Sequence, residues 1–289
     1  MEYFIHILVI AGIYIILTMS LNLIVGYTGL PALGHAAFSC IGAYTSAILA
    51  LRLGLSPWIG ILAGIFLAVI TGLISSFPAL RLKGDYLALA TLGFNVIVYG
   101  IAKNWVSLTR GPMGLPGIPS FSIFGFSITE TWKYLILVLF FDIISFIFLW
   151  RITSSPFGRL LKGIREDEKA IQILGVNTVK YKVVVFMVGA GFAGLSGVLY
   201  AHYITFIDPS SFTVMESITI LLMVIFGGMA NLYGSIIGAI SLVVLPEVLR
   251  FLGLPSSVAA PLRQMIYGLL LVILMLKRPQ GILGEYRFR

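Results

Sequence analysis

Four acidic side chains lie inside or beside long apolar runs of this 289-residue sequence, where a carboxylate is costly unless it serves a function. Asp142 falls in the middle of a run, and Glu216 begins a short one. Asp85 and Glu247 lie near the ends of runs, where the cost is small. A proton relay needs several carboxylates along one route, and these four are isolated. The pattern therefore gives little support to a proton-driven carrier.

The three histidines, His6, His35 and His202, lie on separate runs and have no cysteine or carboxylate at metal-ligand spacing. The sequence therefore predicts no metal site and no cofactor. His35 lies in a glycine-rich break, beside Ser39. There it either lines a polar path or ends a helix by bonding to the backbone, and both interpretations are open. The candidate residues of a translocation path are His35, Ser39, Asn95 and Glu216.

Nucleotide and enzyme motifs are missing or misplaced. No Gly-Lys dipeptide occurs, which excludes a Walker A phosphate loop. Residues 189–194 match the dinucleotide pattern G-x-G-x-x-G, but they lie inside an apolar run rather than between a strand and a helix. Gly189, Ala193 and Gly197 recur at helical spacing, which predicts close helix packing instead. No paired carboxylates or Ser-His-Asp spacing indicate catalysis, so we predict a non-enzymatic protein.

The composition excludes a water-soluble protein. Hydrophobic residues make up 59% of the chain and charged residues 10%, with a mean hydropathy of +1.06. A soluble domain carries roughly 25% charge. The single cysteine, Cys40, excludes an internal disulfide. The net charge of +8 does not indicate a nucleic-acid partner, because basic residues of membrane proteins gather in cytoplasmic loops. Residues 1–289 are expected to form a single transmembrane domain.

Apolar runs between polar or Gly/Pro-rich breaks define the elements. Only helices or closed barrels satisfy the backbone in lipid, and these runs do not alternate as barrel strands do. We therefore predict an all-α, polytopic integral membrane helical bundle with about 8–10 transmembrane segments. The runs are Tyr3–Val25, Pro31–Leu51, Trp58–Leu80, Tyr86–Trp105, Trp132–Trp150, Val183–Ile204, Val214–Met229, Tyr233–Leu249 and Leu262–Leu276.

Two regions are expected to contain broken or re-entrant helices. The run from Val214 to Met229 is short and ends at Gly227-Gly228. The stretch from Gly26 to Gly42 is interrupted by further glycines and a proline. Irregular backbone at membrane depth is tolerated only where protein or a water-filled cavity surrounds it.

The basic residues predict the orientation of the chain. If the segment 152–182 lies in the cytoplasm, 13 lysines and arginines fall on that side and 6 on the other. We therefore predict a multi-pass protein of the cell (inner or plasma) membrane with an external N-terminus and a cytoplasmic C-terminus. An external label is expected to reach Ser120 and not Gln172.

The segment 152–182 contains the sharpest local pattern. Pro156 can open a helix and Gly175 can close one, with apolar residues at helical spacing between them. The acidic run 166–168 would be repelled by anionic lipid, which favours a docking helix for a soluble partner over a helix lying on headgroups. Leu161 and Ile164 are expected to insert into a groove of the partner, and Arg165 and Glu166 to lie at its rim.

Six stretches with recognisable motifs are distributed along nearly the whole chain. They are Gly26–Phe38 (GYTGLPALGHAAF), Arg81–Phe94 (RLKGDYLALATLGF), Thr109–Leu115 (TRGPMGL), Gly158–Gly175, Phe226–Met229 (FGGM) and Gly234–Ala239 (GSIIGA). In these stretches the sequence resembles the M-type membrane permease subunit of the branched-chain amino acid ABC importer family. The departures, at Gly163 and at residues 169–171, are small.

The resemblance implies a division of labour among partners in the lipid bilayer. A second permease subunit would complete the pore as a heterodimer, two cytoplasmic ATP-binding subunits would drive it, and an external solute-binding protein would deliver substrate. It implies branched-chain amino acids as substrate, with urea or short amides as the alternative. It also implies that the helix 158–175 couples to an ATPase. The residues expected to do so are Gly158, Arg159, Leu161, Ile164, Arg165, Glu166, Asp167, Glu168, Leu174 and Gly175.

Two other classes of function remain as alternatives to a transporter subunit. A stand-alone secondary carrier or channel would transport without ATPase partners. A purely structural membrane subunit would not need so many glycine breaks within its helices.

Overall fold

The computed structural model describes residues 2–79, 82, 84–123, 126–128, 130–251, 262, 265, 266, 268, 269, 272, 273 and 280–284, which are predominantly helical. In chain order the helices are α1 (Glu2–Thr28), α2 (His35–Leu53), α3 (Pro57–Ala79), α4 (Asp85–Asn104), α5 (Val106–Thr109), α6 (Thr131–Ser154), α7 (Pro156–Glu166), α8 (Glu168–Ile173), α9 (Thr178–Ile204), α10 (Val214–Gly227) and α11 (Leu232–Phe251). Short 3₁₀ turns occupy Gly111–Met113 and Pro209–Phe212.

The described residues include four two-residue strands, which lie in the connections between helices. β1 (Leu115–Pro116) pairs antiparallel with β4 (Phe206–Ile207), and β2 (Ser122–Ile123) pairs antiparallel with β3 (Phe126–Ser127). The first pair ties the loop before α6 to the segment that follows α9.

Within the described part of the chain, six helices are long and apolar enough to cross a membrane, namely α1, α2, α3, α4, α6 and α9. Two shorter apolar helices are α10 and the stretch Leu232–Glu247 of α11. The prediction of an all-α polytopic membrane bundle is confirmed, and the helix bounds follow the apolar runs to within a few residues. The run Leu262–Leu276 lies largely outside the described residues.

Helix α9 is central in the bundle, where it packs against α1, α2 and α3. Glycines allow this close approach. A Cβ placed on Gly42 of α2 would overlap the backbone of Gly194 on α9, and a Cβ on Gly194 would lie 2.5 Å from Ala68 on α3. The predicted packing role of the small residues in α9 is confirmed, since a Cβ on Gly197 would likewise strike the backbone of Ser39.

Replacing Gly42 by Ala should therefore destabilise the bundle by about 1–3 kcal/mol, because the backbones of α2 and α9 must move apart. Denaturant titration of the purified protein in detergent measures the change. Gly93→Ala is the matched control, since Gly93 lies in α4 and a Cβ there meets nothing within 4 Å. Equal stability of the two variants would contradict the packing argument.

Both predicted breaks are present. The chain leaves the helical conformation after Thr28 and resumes it at His35, with Gly29 at a φ of 68°. Helix α10 has 14 residues, about 21 Å in length, which is less than the ~30 Å hydrocarbon core of a bilayer. It ends at Gly228, whose φ of 119° lies in the region that favours glycine.

The turn between α10 and α11 is held from two sides. On one side, Asn22 of α1 donates its amide to the Asn231 carbonyl at 2.9 Å and accepts the Ala230 N–H at 2.9 Å. On the other side, the N–H groups of Ile282 and Leu283 donate to carbonyls at the end of α10, at 3.0 Å each. The last two carbonyls of the short helix, those of Phe226 and Gly227, therefore have protein donors.

Candidate functional site

The first turns of two helices, α2 and α10, contact positions inside α1 rather than its two ends. His35, the first residue of α2, bonds through Nε2 to the hydroxyl of Ser20 at 2.7 Å, and Ser20 lies eight residues before the end of α1. The Tyr14 hydroxyl, in the middle of α1, donates to the carboxylate of Glu216 in the first turn of α10. The N-terminal ends of α2 and α10 therefore meet α1 inside the bundle.

These two N-terminal ends also contact each other. The backbone N–H of Ala36 donates to the hydroxyl of Ser217 at 2.9 Å. Each helix N-terminus carries unpaired N–H groups and a partial positive charge. The junction of α2 and α10 is thus a place where positive helix ends converge within a largely apolar bundle.

A cavity of about 140 Å³, here named the central cavity, lies beside this junction. Its polar lining is Tyr14, Ser39, Ser196, Tyr200, Ser211 and Glu216. Its larger apolar lining residues are Ile13, Leu17, Phe212 and Ile220. The cavity therefore combines a carboxylate, hydroxyls and an aliphatic wall in a space suited to a small solute.

The hydroxyl groups that line the central cavity differ in their hydrogen-bond partners. Ser196 donates to the carbonyl of Ile13 at 3.2 Å, and Ser211 donates to the carboxylate of Asp208 at 2.7 Å. Ser39 is only 4% exposed and lines the central cavity, and no hydrogen bond joins its hydroxyl to another described residue. Because this hydroxyl faces the cavity, it can donate a hydrogen bond to an added molecule.

The structure brings together two of the four predicted path residues. Ser39 and Glu216 both line the central cavity. His35 is buried, does not line the cavity, and bonds to a side chain, Ser20. Asn95 of α4 is fully buried with no partner for its amide among the described residues, and it does not line the cavity. A single path through all four residues stays a prediction.

The sequence did not single out the two tyrosines of the central cavity. Tyr14 and Tyr200 lie within long apolar runs, where a tyrosine is counted as an apolar residue. In the structure, Tyr14 contacts the same short helix that Glu216 begins. Only the packing of α1 against α10 shows the connection.

The expected docking segment forms two helices, and the prediction of one helix from 158 to 175 is wrong. Pro156 does open α7, but Asp167 adopts an extended conformation with φ −151° and ψ 97°. The Asp167 carboxylate then caps α8 by accepting the N–H groups of Lys169 at 2.9 Å and Ala170 at 3.1 Å. Aspartate is one of the preferred N-cap residues, and this preference favours the start of α8 directly after Asp167.

The apolar side chains of the two helices face different surroundings. Leu161 is 0% exposed and Ile164 is 4% exposed, because both pack inside this chain. The expectation that these two insert into a groove of a partner is therefore wrong. Ile173 and Leu174, at the end of α8, are 85% and 76% exposed. They form the exposed apolar patch of the segment.

Arg165 is likewise turned toward its own chain rather than toward a rim. Its guanidinium donates to the carbonyl of Gly26 in the last turn of α1 at 2.7 Å, and its aliphatic stem packs on Gly29. It also pairs with Glu166 at 3.0 Å. A cation at the carboxyl end of a helix satisfies carbonyls that have no partner within the helix. Arg165 thus connects α7 to the junction where α1 ends.

A second set of polar contacts fixes α8 to α9. Glu168 accepts hydrogen bonds from Lys182 at 2.6 Å and Thr178 at 2.9 Å, and the Lys182 side chain is only 9% exposed. Gly158 packs against the backbone of Thr153, whereas Arg159, Glu166, Asp167 and Gly175 are exposed. One face of the segment therefore contacts the rest of the chain, and the opposite face is exposed.

Comparison with known proteins places these features in a family context. A sequence profile described as branched-chain amino acid transport system / permease component matches residues 3–275. The chain is 36% identical to the high-affinity branched-chain amino acid transport system permease protein LivM of Escherichia coli (strain K12), covering 95% of this chain and 68% of that protein.

The match to two more distant relatives covers almost the whole length of each. The probable LivM permease of Methanocaldococcus jannaschii is 26% identical, over 95% of this chain and 91% of that protein. The permease protein LivH of Escherichia coli (strain K12) is 23% identical, over 94% of this chain and 91% of that protein. No solved structure matches the chain.

Proposed function

The chain belongs to the branched-chain amino acid transport system permease family, and from this we propose that it is a permease subunit of an ATP-binding cassette importer for branched-chain amino acids. The observation that carries the proposal is the family match over residues 3–275, which includes the central cavity and both α7 and α8. Leucine, isoleucine and valine are the substrates named by this family.

The energy for transport comes, in this proposal, from partner subunits. The sequence contains no Gly-Lys dipeptide and hence no phosphate loop, so ATP is hydrolysed by two cytoplasmic ATP-binding subunits. Similarity to both LivM and LivH of one bacterium supports a pore made with a second, related permease. An external solute-binding protein delivers the substrate to that pore.

Two sites on this chain carry the proposed work. Substrate passes the central cavity, where Ser39 and Glu216 supply polar contacts within the membrane. The ATPase contacts the outer face of α7 and α8, with Ile173 and Leu174 as the apolar contact and Arg159, Glu166 and Asp167 around it. Arg165 and Glu168 position the two helices from inside.

Reconstitution of the complete transporter in proteoliposomes tests the proposal. The complex, purified through a tag on this chain, should accumulate leucine only with ATP and binding protein present. This chain reconstituted alone should accumulate none. Leucine uptake by the isolated chain would identify a secondary carrier instead. ATP-driven uptake of urea or a short amide, without uptake of leucine, isoleucine or valine, would show a different substrate.

Cysteine labelling tests the proposed orientation, with an external N-terminus and a cytoplasmic C-terminus. Met113 and Ile173 are each 85% exposed, so cysteines at the two positions are matched in accessibility. In a Cys40→Ala background, expressed without the ATP-binding subunits that would cover Ile173, an impermeant maleimide should label Met113→Cys in intact cells and Ile173→Cys only after permeabilisation. The reverse pattern would invert the topology.

A further inference from the structure

We propose that the central cavity binds the transported amino acid as a zwitterion, with its ammonium on Glu216, its carboxylate at Ser39 and the start of α2, and its aliphatic side chain on the apolar wall. This inference rests on the proposed function and adds to it the chemistry of recognition. It explains why one small cavity holds a carboxylate, an unpartnered hydroxyl and an aliphatic surface together.

The binding position of the ammonium is inferred from the acidic residue that lines the cavity. Glu216 is the one carboxylate among the described residues that line the central cavity. Its side chain accepts a hydrogen bond from Tyr14, which holds one oxygen in place. An ionised carboxylate has room for several donors on its two oxygens, and charge-assisted bonds to an ammonium are stronger than neutral ones.

The carboxylate end follows from Ser39 and the helix that carries it. Ser39 lies one turn into α2, is 4% exposed and lines the central cavity, and no hydrogen bond joins its hydroxyl to another described residue. The N-terminal end of α2 provides a partial positive charge beside it. The start of α10 meets α2 at this point through the bond between Ala36 and Ser217. A carboxylate is the group that a hydroxyl donor and converging helix starts favour.

The two polar ends require both charges on one molecule. An amine without a carboxylate would pair with Glu216 and leave Ser39 without a partner. A carboxylic acid without an ammonium would place its negative charge close to Glu216, which is repulsive in a low-dielectric site. A zwitterion satisfies both ends and adds no net charge to the interior of the membrane.

The apolar wall and the volume set the size of the side chain. Ile13, Leu17, Phe212 and Ile220 give the cavity an apolar lining beside its polar groups. The volume of about 140 Å³ is close to the ~150 Å³ of an engineered apolar cavity that holds benzene. The cavity therefore fits a small aliphatic amino acid and excludes tryptophan.

Ligand binding to the complete transporter, without binding protein or nucleotide, tests the inference. Radiolabelled leucine should bind saturably, with 4-methylpentanoate, which lacks the ammonium, as the weakest competitor and 3-methylbutan-1-amine as an intermediate one. Glu216→Gln should weaken leucine binding at least about tenfold. It should also remove the discrimination against 4-methylpentanoate, a change that a purely structural role would not produce.

A second variant and a control keep the test decisive. Ser39→Ala should weaken leucine binding about threefold to tenfold while leaving binding of the amine unchanged. Thr219→Val is the control on α10, because its hydroxyl bonds within its own helix and does not line the cavity. Leucine affinity and analogue selectivity like those of the wild type in both Glu216→Gln and Ser39→Ala would overturn the inference.

The outcomes also separate this inference from the proposed function. A wild-type complex that takes up leucine with ATP but shows no saturable binding without binding protein would overturn the zwitterion site and leave the importer intact. A complex that binds leucine with the expected selectivity but shows no ATP-dependent uptake would overturn the importer and leave the site.

Discussion

Replacing Ile173 and Leu174 together by Asp should abolish ATPase association and ATP-driven uptake while leaving the bundle folded. Both side chains are largely exposed at the end of α8, where α9 does not cover them. If a partner buries each side chain, each contributes about 1.5–3 kcal/mol to binding. Loss of both should then weaken association at least about a hundredfold. Co-purification of the ATP-binding subunits with the tagged permease measures the loss.

Three further variants define what this result means. Ala170→Asp adds a negative charge to an exposed position of the same helix without removing an apolar contact, and it should cost much less. Ile164→Asp should instead lower the yield of folded protein, because Ile164 is 4% exposed in the chain itself. Leu82→Asp tests the loop between α3 and α4. Intact docking in the double variant, with loss in Leu82→Asp, would move the ATPase contact to that loop.

The helices were predictable because lipid imposes a strong contrast between apolar runs and polar breaks. The broken region around Gly29 and the short α10 were predictable for a related reason, since glycines and a run too short to cross the membrane both appear in the sequence. These features depend on position along the chain. They need no knowledge of which way a helix is rotated in the bundle.

The docking segment shows what helical spacing leaves undetermined. Leu161, Ile164 and Leu174 recur at compatible intervals, yet the first two pack inside the chain and the third is exposed. An apolar stripe indicates that a helix buries one face. It does not indicate whether that face packs against the same chain or against a partner. The extended residue Asp167 adds to this, because it reorients α8 and so separates Leu174 from the earlier apolar positions.

The candidate cavity was half predictable for the same reason. Ser39 and Glu216 could be chosen from the sequence because polar residues beside glycine breaks and short helices are rare in apolar runs. Asn95 satisfied the same criterion, but no residue of α4 lines the cavity. Tyr14 lies on a long uninterrupted helix, so only the contact between α1 and α10 connects it to Glu216.

Replacing Arg165 by Ala should uncouple the transporter rather than dissociate it. The Arg165 guanidinium bonds to the Gly26 carbonyl, and its stem packs on Gly29, so it links the ATPase-facing segment to the end of α1 and the connection into α2. A hydrogen bond from a charged group contributes about 1.5–3 kcal/mol. Without it, movement of α7 should no longer reach the junction of α1, α2 and α10. Leucine transported per ATP hydrolysed should fall about tenfold or more.

The measurement separates linkage from docking. ATPase co-purification and its salt dependence should match those of the wild type, because Arg165 faces its own chain. Arg151→Ala, at an exposed arginine near the end of α6, is the matched control and should keep the wild-type ratio of transport to hydrolysis. If Arg165→Ala instead releases the ATPase as salt is raised, Arg165 is a rim charge of the partner contact. Unchanged transport per ATP would mean that α7 moves α1 through its packed side chains, Leu161 and Ile164, without this bond.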